Sequence, residues 1–215
     1  MKKYLMIIVM IMFILGGCQS KNDDNSFSKI AITNETISSP KTPSSIMVNG
    51  KAIVIDLDKL LKVDDVIKGS ELIPPTGTFD TMKPVPFNDL KGWKVIHIIP
   101  SLDTPVCSLQ TRQLDYASSE FKDVIFMSIS ADLPFALQHF VDDNKIMGMK
   151  VYSDYQGYQF LKNNELFMKQ YSLATRAIII VDENNKVKYV EYASEVTKEL
   201  DLAQAINYLR QNYQK

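Results

Sequence analysis

The chain has 215 residues, of which 46% are apolar and 10% aromatic, enough for one globular domain with additional segments. The formal net charge of -1 gives no electrostatic reason to expect a nucleic-acid partner, which would require a basic patch. Two cysteines and two histidines are too few for a closed zinc site. We therefore expect no metal, and nothing in the sequence requires another cofactor.

The first 17 residues have the layout of a secretory signal peptide. Two lysines are followed by an apolar run from Tyr4 to Leu15 and two glycines before Cys18. The run is shorter than the roughly 20 residues that a membrane-spanning helix needs. The sequence LGGC, which ends at Cys18, resembles the lipobox of bacterial lipoproteins, in which the signal is cleaved before a lipid-modified cysteine. An uncleaved anchor and plain secretion are the alternatives.

A polar segment separates this signal from the rest of the chain. Residues 18–45 are rich in Ser, Asn, Thr, Asp and Lys and poor in apolar side chains. Such a segment cannot bury enough apolar surface to offset the entropy of ordering it. We predict a lipidated Cys18 and a flexible tether over 18–45, which holds a folded domain over 46–215 on the outer side of a cell membrane.

The domain alternates strand-like and helix-like patterns. It begins with a hairpin over residues 46–55 around an Asn-Gly turn. The remaining patterns predict strands at 94–99, 124–130, 177–181 and 187–192, and helices at 106–119, 134–145, 158–163 and 200–212. This alternation, with a hairpin and a helix at the end, predicts an α/β fold in layers.

Cys107 lies where a helix is expected to start, after the strand at 94–99. Asp103, Thr104 and Pro105 precede it, so its sulfur would lie in the first helical turn. The free amides and the dipole of that turn favour an anion, and hence a thiolate. The alternative is a buried cysteine that only packs in the core, because free cysteine is among the most buried residue types.

Several motifs in this region resemble one known family. The string PSLDTPVC over residues 100–107 matches the P-x-x-x-T-x-x-C motif of peroxiredoxins and is most similar to their bacterial thiol peroxidase branch. The strings SADLPFA at 130–136 and LATRA at 173–177 are similar to the same branch. The resemblance implies a thioredoxin-like fold, with a central mixed sheet flanked by helices and an N-terminal β-hairpin, and commonly a homodimer.

The resemblance also implies roles for four residues. Cys107 would attack a peroxide and become a sulfenic acid. Thr104 would orient the peroxide, and Pro100 would shield the site. Arg176 would stabilise the thiolate and the charge that develops on the leaving oxygen. On sequence alone, Thr104 could equally be a helix N-cap, and Arg176 an ordinary surface arginine.

The chain departs from the family at the resolving cysteine. Most thiol peroxidases carry it on the helix after SADLPF, where this chain has Val141. The other cysteine, Cys18, is expected to carry lipid. We therefore predict a one-cysteine cycle in which an external thiol, small or protein-borne, reduces Cys107 through a transient mixed disulfide.

Two other functions remain open from the sequence. A thiol–disulfide oxidoreductase needs a Cys-x-x-Cys pair, and Thr104 occupies the place of its first cysteine. A non-enzymatic lipoprotein could reuse the same scaffold for binding, since a fold does not determine a function. The presence together of Pro100, Thr104, Cys107 and Arg176 favours a thiol-dependent peroxidase over both.

Overall fold

The computed structural model describes residues 36–213. The predicted signal peptide, Cys18 and the first part of the tether lie outside the described residues. The strands, in chain order, are β1 (Met47–Val48), β2 (Lys51–Ala52), β3 (Glu71–Leu72), β4 (Val85–Pro86), β5 (Lys94–Ile98), β6 (Ile125–Ser130), β7 (Met149–Ser153), β8 (Phe167–Met168), β9 (Leu173–Ala174), β10 (Ala177–Val181) and β11 (Val187–Tyr192). The α-helices are α1 (Pro105–Ser118), α2 (Pro134–Asn144), α3 (Gln159–Asn163) and α4 (Leu202–Asn212).

A mixed five-stranded sheet forms the centre of the domain, in the order β11-β10-β5-β6-β7. Strands β5, β6 and β7 are parallel, while β10 is antiparallel to both β5 and β11. Helix α1 connects β5 to β6, and α2 connects β6 to β7, as the return between parallel strands requires. The predicted α/β, thioredoxin-like fold is confirmed.

Both faces of this sheet are covered, which explains why β5 is buried along its whole length. Ile96 and Ile98 face one apolar cluster, to which α3 and the segments before β5 contribute. Val95 and Ile99 belong to the other cluster, together with side chains of α1, α2 and α4. Because side chains alternate along a strand, His97 points towards the second cluster and towards α1.

The predicted N-terminal hairpin is present as β1 and β2. Its two turn residues, Asn49 and Gly50, have φ values of 51° and 73°. A two-residue turn of type I′ needs positive φ at both positions, and Asn-Gly provides it with little strain. The hairpin is a separate two-stranded sheet, and its Met47 forms a parallel bridge with Glu195.

Residues 36–45 form no helix or strand, yet they contact the domain. The amide of Ile37 donates to Oε1 of Gln211 at 3.2 Å, and the amide of Val190 in the edge strand β11 donates to Oγ of Ser39 at 2.9 Å. Part of the segment predicted as tether therefore lies against the sheet edge and α4, ahead of the predicted boundary at residue 46.

The structure also contains elements that the sequence patterns did not predict. Strand β7 has only five residues and lies at the edge of the sheet, where it follows α2 after a short turn. The short pairs β3–β4 and β8–β9 are held by only two residue pairs each. Over residues 36–213, no helix is long and apolar enough to cross a membrane.

Candidate active site

Cys107 occupies the first turn of α1, as predicted. Thr104 is the N-cap and Pro105 the first helical residue, where proline's fixed φ suits the helix and its missing N–H costs nothing. The first hydrogen bond of this turn runs from the amide of Ser108 to the carbonyl of Thr104, at 2.9 Å. Cys107 is also wholly buried and packs in the apolar cluster beneath α1. It therefore lies in the first helical turn and in the core at the same time.

The loop between β5 and α1 is held by Asp132, a residue for which we predicted no role. Its Oδ2 accepts from the amide of Leu102 at 2.8 Å and from Oγ of Ser130 at 2.9 Å. The carbonyl of Asp132 in turn accepts from the hydroxyl of Ser153 at the end of β7. Because Asp132 binds both the loop before α1 and the end of β7, it fixes the loop that carries Thr104. Its place inside the SADLPFA string was the one sequence signal that it could hold this loop.

Thr104 does not cap the helix with its side chain. Its hydroxyl donates to the carbonyl of Ser101 at 2.9 Å, and its amide donates to the same oxygen at 3.2 Å. The hydroxyl proton is thus engaged, and the oxygen keeps its lone pairs as hydrogen-bond acceptors. Pro100 is buried at the start of the same loop.

Arg176 lies immediately before β10 and is 2% exposed, so it is not a surface arginine. Its Nε donates to the carbonyl of Val196 at 2.6 Å. Its Nη2 donates to Sγ of Cys107 at 3.2 Å. Its Nη1 is buried and has no hydrogen-bond partner among the described residues. The guanidinium therefore holds the sulfur with one nitrogen and leaves another free beside it.

A buried polar cluster lies behind Cys107, between α1 and the sheet. Nδ1 of His97 is 3.3 Å from Oγ of Ser128, which is 3.2 Å from Oγ1 of Thr111 on α1. Gln110, on the preceding position of α1, exchanges hydrogen bonds with the backbone of Leu200. Burial lowers the pKa of His97 to about 3, and the positive charge of the nearby guanidinium adds to the effect. His97 is therefore neutral near pH 7.

No second thiol accompanies Cys107 within residues 36–213. Val141, where the sequence resemblance led us to expect a resolving cysteine, lies on α2 and packs against the same apolar cluster as Cys107. The described residues also contain no group of three or more His, Cys, Asp or Glu side chains that could hold a metal ion. The chemistry that this site offers is that of one thiol beside a guanidinium.

Comparisons with known proteins agree on one family. The Redoxin family model matches residues 68–208. A thiol peroxidase of Streptococcus agalactiae is 35% identical over 150 residues, which cover 69% of this chain and 88% of that protein. A thiol peroxidase of Bacillus subtilis is 39% identical over 110 residues, which cover 51% of this chain and 66% of that protein.

Solved structures show the same fold at lower sequence identity. A peroxiredoxin-like protein from Aquifex aeolicus superposes with a TM-score of 0.67 at 24% identity, covering 80% of this chain and 99% of that one. A thiol peroxidase from Chromobacterium violaceum superposes with a TM-score of 0.66 at 18% identity, covering 78% and 95% of the two chains. With the matches above, the chain belongs to the Redoxin family and, within it, to the bacterial thiol peroxidases.

Proposed function

We propose that the protein is a thiol-dependent peroxidase, which reduces hydrogen peroxide or organic hydroperoxides with the thiolate of Cys107. The observation that carries this proposal is the hydrogen bond from Nη2 of Arg176 to Sγ of Cys107 in the first turn of α1. A guanidinium and the free amides of a helix start both favour a thiolate, which is the nucleophilic form of cysteine. The family membership supports the same activity.

In the first half of the cycle the thiolate attacks one peroxide oxygen. A sulfur–oxygen bond forms, the O–O bond breaks, and sulfur is oxidised to a sulfenic acid. The second oxygen leaves with the electron pair of the O–O bond and takes up a proton to become water or an alcohol. Nη1 of Arg176, which has no hydrogen-bond partner within residues 36–213, is available to stabilise that oxygen. The lone pairs of Thr104 can accept the O–H of the peroxide, and Pro100 bounds the loop beside it.

In the second half an external thiol restores Cys107. It attacks the sulfenic sulfur, water leaves, and a mixed disulfide forms. A second thiol then attacks the reductant's sulfur in this mixed disulfide. Cys107 leaves as a thiolate, and the two reductant thiols are joined as a disulfide. The sequence contains only Cys18 besides Cys107, and we infer that lipid occupies the sulfur of Cys18. The cycle therefore uses one cysteine of this chain.

The lipid on Cys18 would tether the domain to the outer side of a cell membrane. The signal pattern before Cys18 and the polar segment after it support this inference. Growing cells with a labelled fatty acid tests it: the label should enter the wild-type protein and be absent from the Cys18→Ser variant. Equal labelling of both proteins contradicts lipidation at Cys18.

The peroxidase activity is tested by mass spectrometry after a stoichiometric peroxide pulse. Cys107 should gain one oxygen, and added dithiothreitol, thioredoxin or glutathione should return it to the thiol. The Cys107→Ser variant should consume no peroxide. An unmodified Cys107 in the wild type, while a control peroxiredoxin oxidises, would instead favour a non-enzymatic lipoprotein that reuses the scaffold.

A further inference from the structure

The carbonyl that accepts from Arg176 belongs to a loop that is held from outside by the N-terminal hairpin. Val196 accepts from Nε of Arg176 at 2.6 Å. The amide of the same residue donates to the carbonyl of Met47 in β1 at 2.8 Å, and the amide of Met47 donates to the carbonyl of Ser194 at 2.8 Å. The hairpin thus binds the amide of Val196, and Arg176 binds the carbonyl of the same residue.

Glu195 fastens this loop to the turn of the hairpin. Its Oε1 accepts from the amide of Asn49 at 3.0 Å, and its Oε2 accepts from the amide of Gly50 at 2.9 Å. The amide and hydroxyl of Thr197 donate to Oε1 at 3.2 and 2.9 Å. These donors, the Gly50 amide foremost, lower the pKa of Glu195 to about 2. The carboxylate is therefore charged at neutral pH and satisfies turn amides that the hairpin itself leaves free.

The direction of the guanidinium depends on where the Val196 carbonyl lies. A guanidinium is planar and rigid, so fixing Nε fixes the directions of both terminal nitrogens. One of these nitrogens donates to Cys107 and the other has no partner among the described residues. A displaced Val196 carbonyl would turn the guanidinium of Arg176 away from the sulfur of Cys107.

We propose that Glu195 is a positioning residue for the reaction at Cys107, acting through the N-terminal hairpin, the Val196 carbonyl and Arg176. The proposal rests on the proposed peroxidase function, in which Arg176 supports both the thiolate and the leaving oxygen. Within residues 36–213, the Glu195 side chain has no hydrogen bond to the sulfur or to the arginine side chain; it holds the hairpin turn and its own loop in one arrangement.

The experiment compares Glu195→Ala and Glu195→Asp with a matched control, Glu165→Gln. The carboxylate of Glu165 also accepts from a backbone amide shortly after the hairpin, that of Asp56 at 2.8 Å, but among the described residues it has no hydrogen bond to the loop that contains Val196. Two properties of Cys107 are measured in each protein. One is the rate of oxidation by hydrogen peroxide, and the other is the pH midpoint of alkylation by iodoacetamide, which follows the thiolate without requiring peroxidase activity.

Glu195→Ala should oxidise roughly tenfold to hundredfold more slowly, because small displacements of a positioning group have effects of that size. Its alkylation midpoint should move to higher pH. Glu195→Asp should recover part of both losses, and Glu165→Gln should match the wild type. Circular dichroism establishes that each variant is folded, and if Glu195→Ala is not, Glu195→Gln, which keeps the shape and loses the charge, replaces it.

A folded Glu195 variant with a wild-type oxidation rate and an unmoved alkylation midpoint overturns the proposal. Failure of the peroxidase function gives a different result. In that case the wild type itself does not oxidise, while the alkylation midpoint still reports whether Glu195 controls the contact between Arg176 and Cys107.

Discussion

Arg176 reaches Cys107 from 69 positions further along the chain, and its Nη2 lies 3.2 Å from the sulfur. The contact depends on the order of strands in the sheet. Arg176 precedes β10 and Cys107 follows β5, and these two strands are antiparallel neighbours. The start of β10 therefore lies beside the end of β5, which brings the arginine to the first turn of α1.

Arg176→Lys tests whether the fork geometry matters as well as the charge. A lysine has one nitrogen, so it cannot bind both the Val196 carbonyl and the sulfur in the directions that arginine does. We expect the rate of Cys107 oxidation by peroxide to fall about a hundredfold, the size of effect seen when one preorganised donor is removed. Stopped-flow measurement over a range of pH should also show the profile moved to higher pH.

Arg112→Lys is the matched control for this substitution. Arg112 lies on the same helix as Cys107, but its Nη1 donates to Asn144 on α2 at 3.1 Å. Its replacement should leave the oxidation rate within about twofold, because this partly buried contact joins α1 to α2 and is not a contact to the sulfur of Cys107. An Arg176→Lys enzyme as fast as Arg112→Lys would show that charge alone is sufficient.

Thr104 should affect the peroxide reaction more than the reactivity of the thiol. Its hydroxyl proton is engaged with Ser101, so its oxygen is left to accept from the substrate. Thr104→Val removes the acceptor and keeps the shape. We expect oxidation by hydrogen peroxide to slow roughly tenfold to hundredfold, with little change in alkylation by iodoacetamide. Thr104→Ser keeps the hydroxyl and should restore most of the rate; equal losses in both variants would exclude this role.

Buried His97 should make the protein less stable as the pH falls. An unfolded histidine has a pKa near 6.5, whereas the folded value is about 3, so only the unfolded chain takes up the proton between these values. The contribution of His97 to the free energy of unfolding should therefore decrease below about pH 6.5, by up to about 1.4 kcal/mol per pH unit. Urea unfolding at several pH values measures this slope.

Asp154 contributes the opposite trend, because burial raises its pKa to about 6. The folded protein then takes up this proton first, and stability gains as the pH falls from about 6 to the ordinary range of a carboxyl group. The wild-type slope is the sum of both effects and of a loss of stability in acid from Glu195, whose pKa is lowered to about 2 in the folded protein. Comparison with His97→Asn isolates the histidine: the variant should lose the decrease, and an unchanged slope in the variant would refute the assignment.

Local sequence patterns predicted the elements whose signals lie close together in the chain. The Asn49-Gly50 turn is one of these, and the start of α1 at Pro105 is another. The contact between Arg176 and Cys107 could be inferred only from resemblance to a family, because no local pattern relates positions so far apart. The roles of Asp132 and Glu195 could not be predicted for the same reason. Each carboxylate accepts hydrogen bonds from backbone amides of distant segments, and the sequence does not indicate which amides these are.

Val141→Cys tests the proposed one-cysteine cycle by supplying a second thiol on α2. Position 141 lies on α2, against the apolar cluster that also contains Cys107. A disulfide needs Cα atoms within about 7 Å, and Cys107 is wholly buried in the first turn of α1, so its sulfur must become accessible to position 141 before the two sulfurs can meet. We expect one equivalent of peroxide to produce a disulfide between Cys107 and the introduced thiol, visible in a peptide map without reductant.

The wild type treated in the same way should retain a sulfenic acid until an external thiol is added. The introduced thiol should also raise turnover with thioredoxin, because an exposed disulfide is a more accessible target than a buried sulfenic acid. A variant that still accumulates the sulfenic acid would show that the thiol at position 141 cannot reach Cys107. In that case the valine at position 141 alone would not explain the proposed one-cysteine cycle.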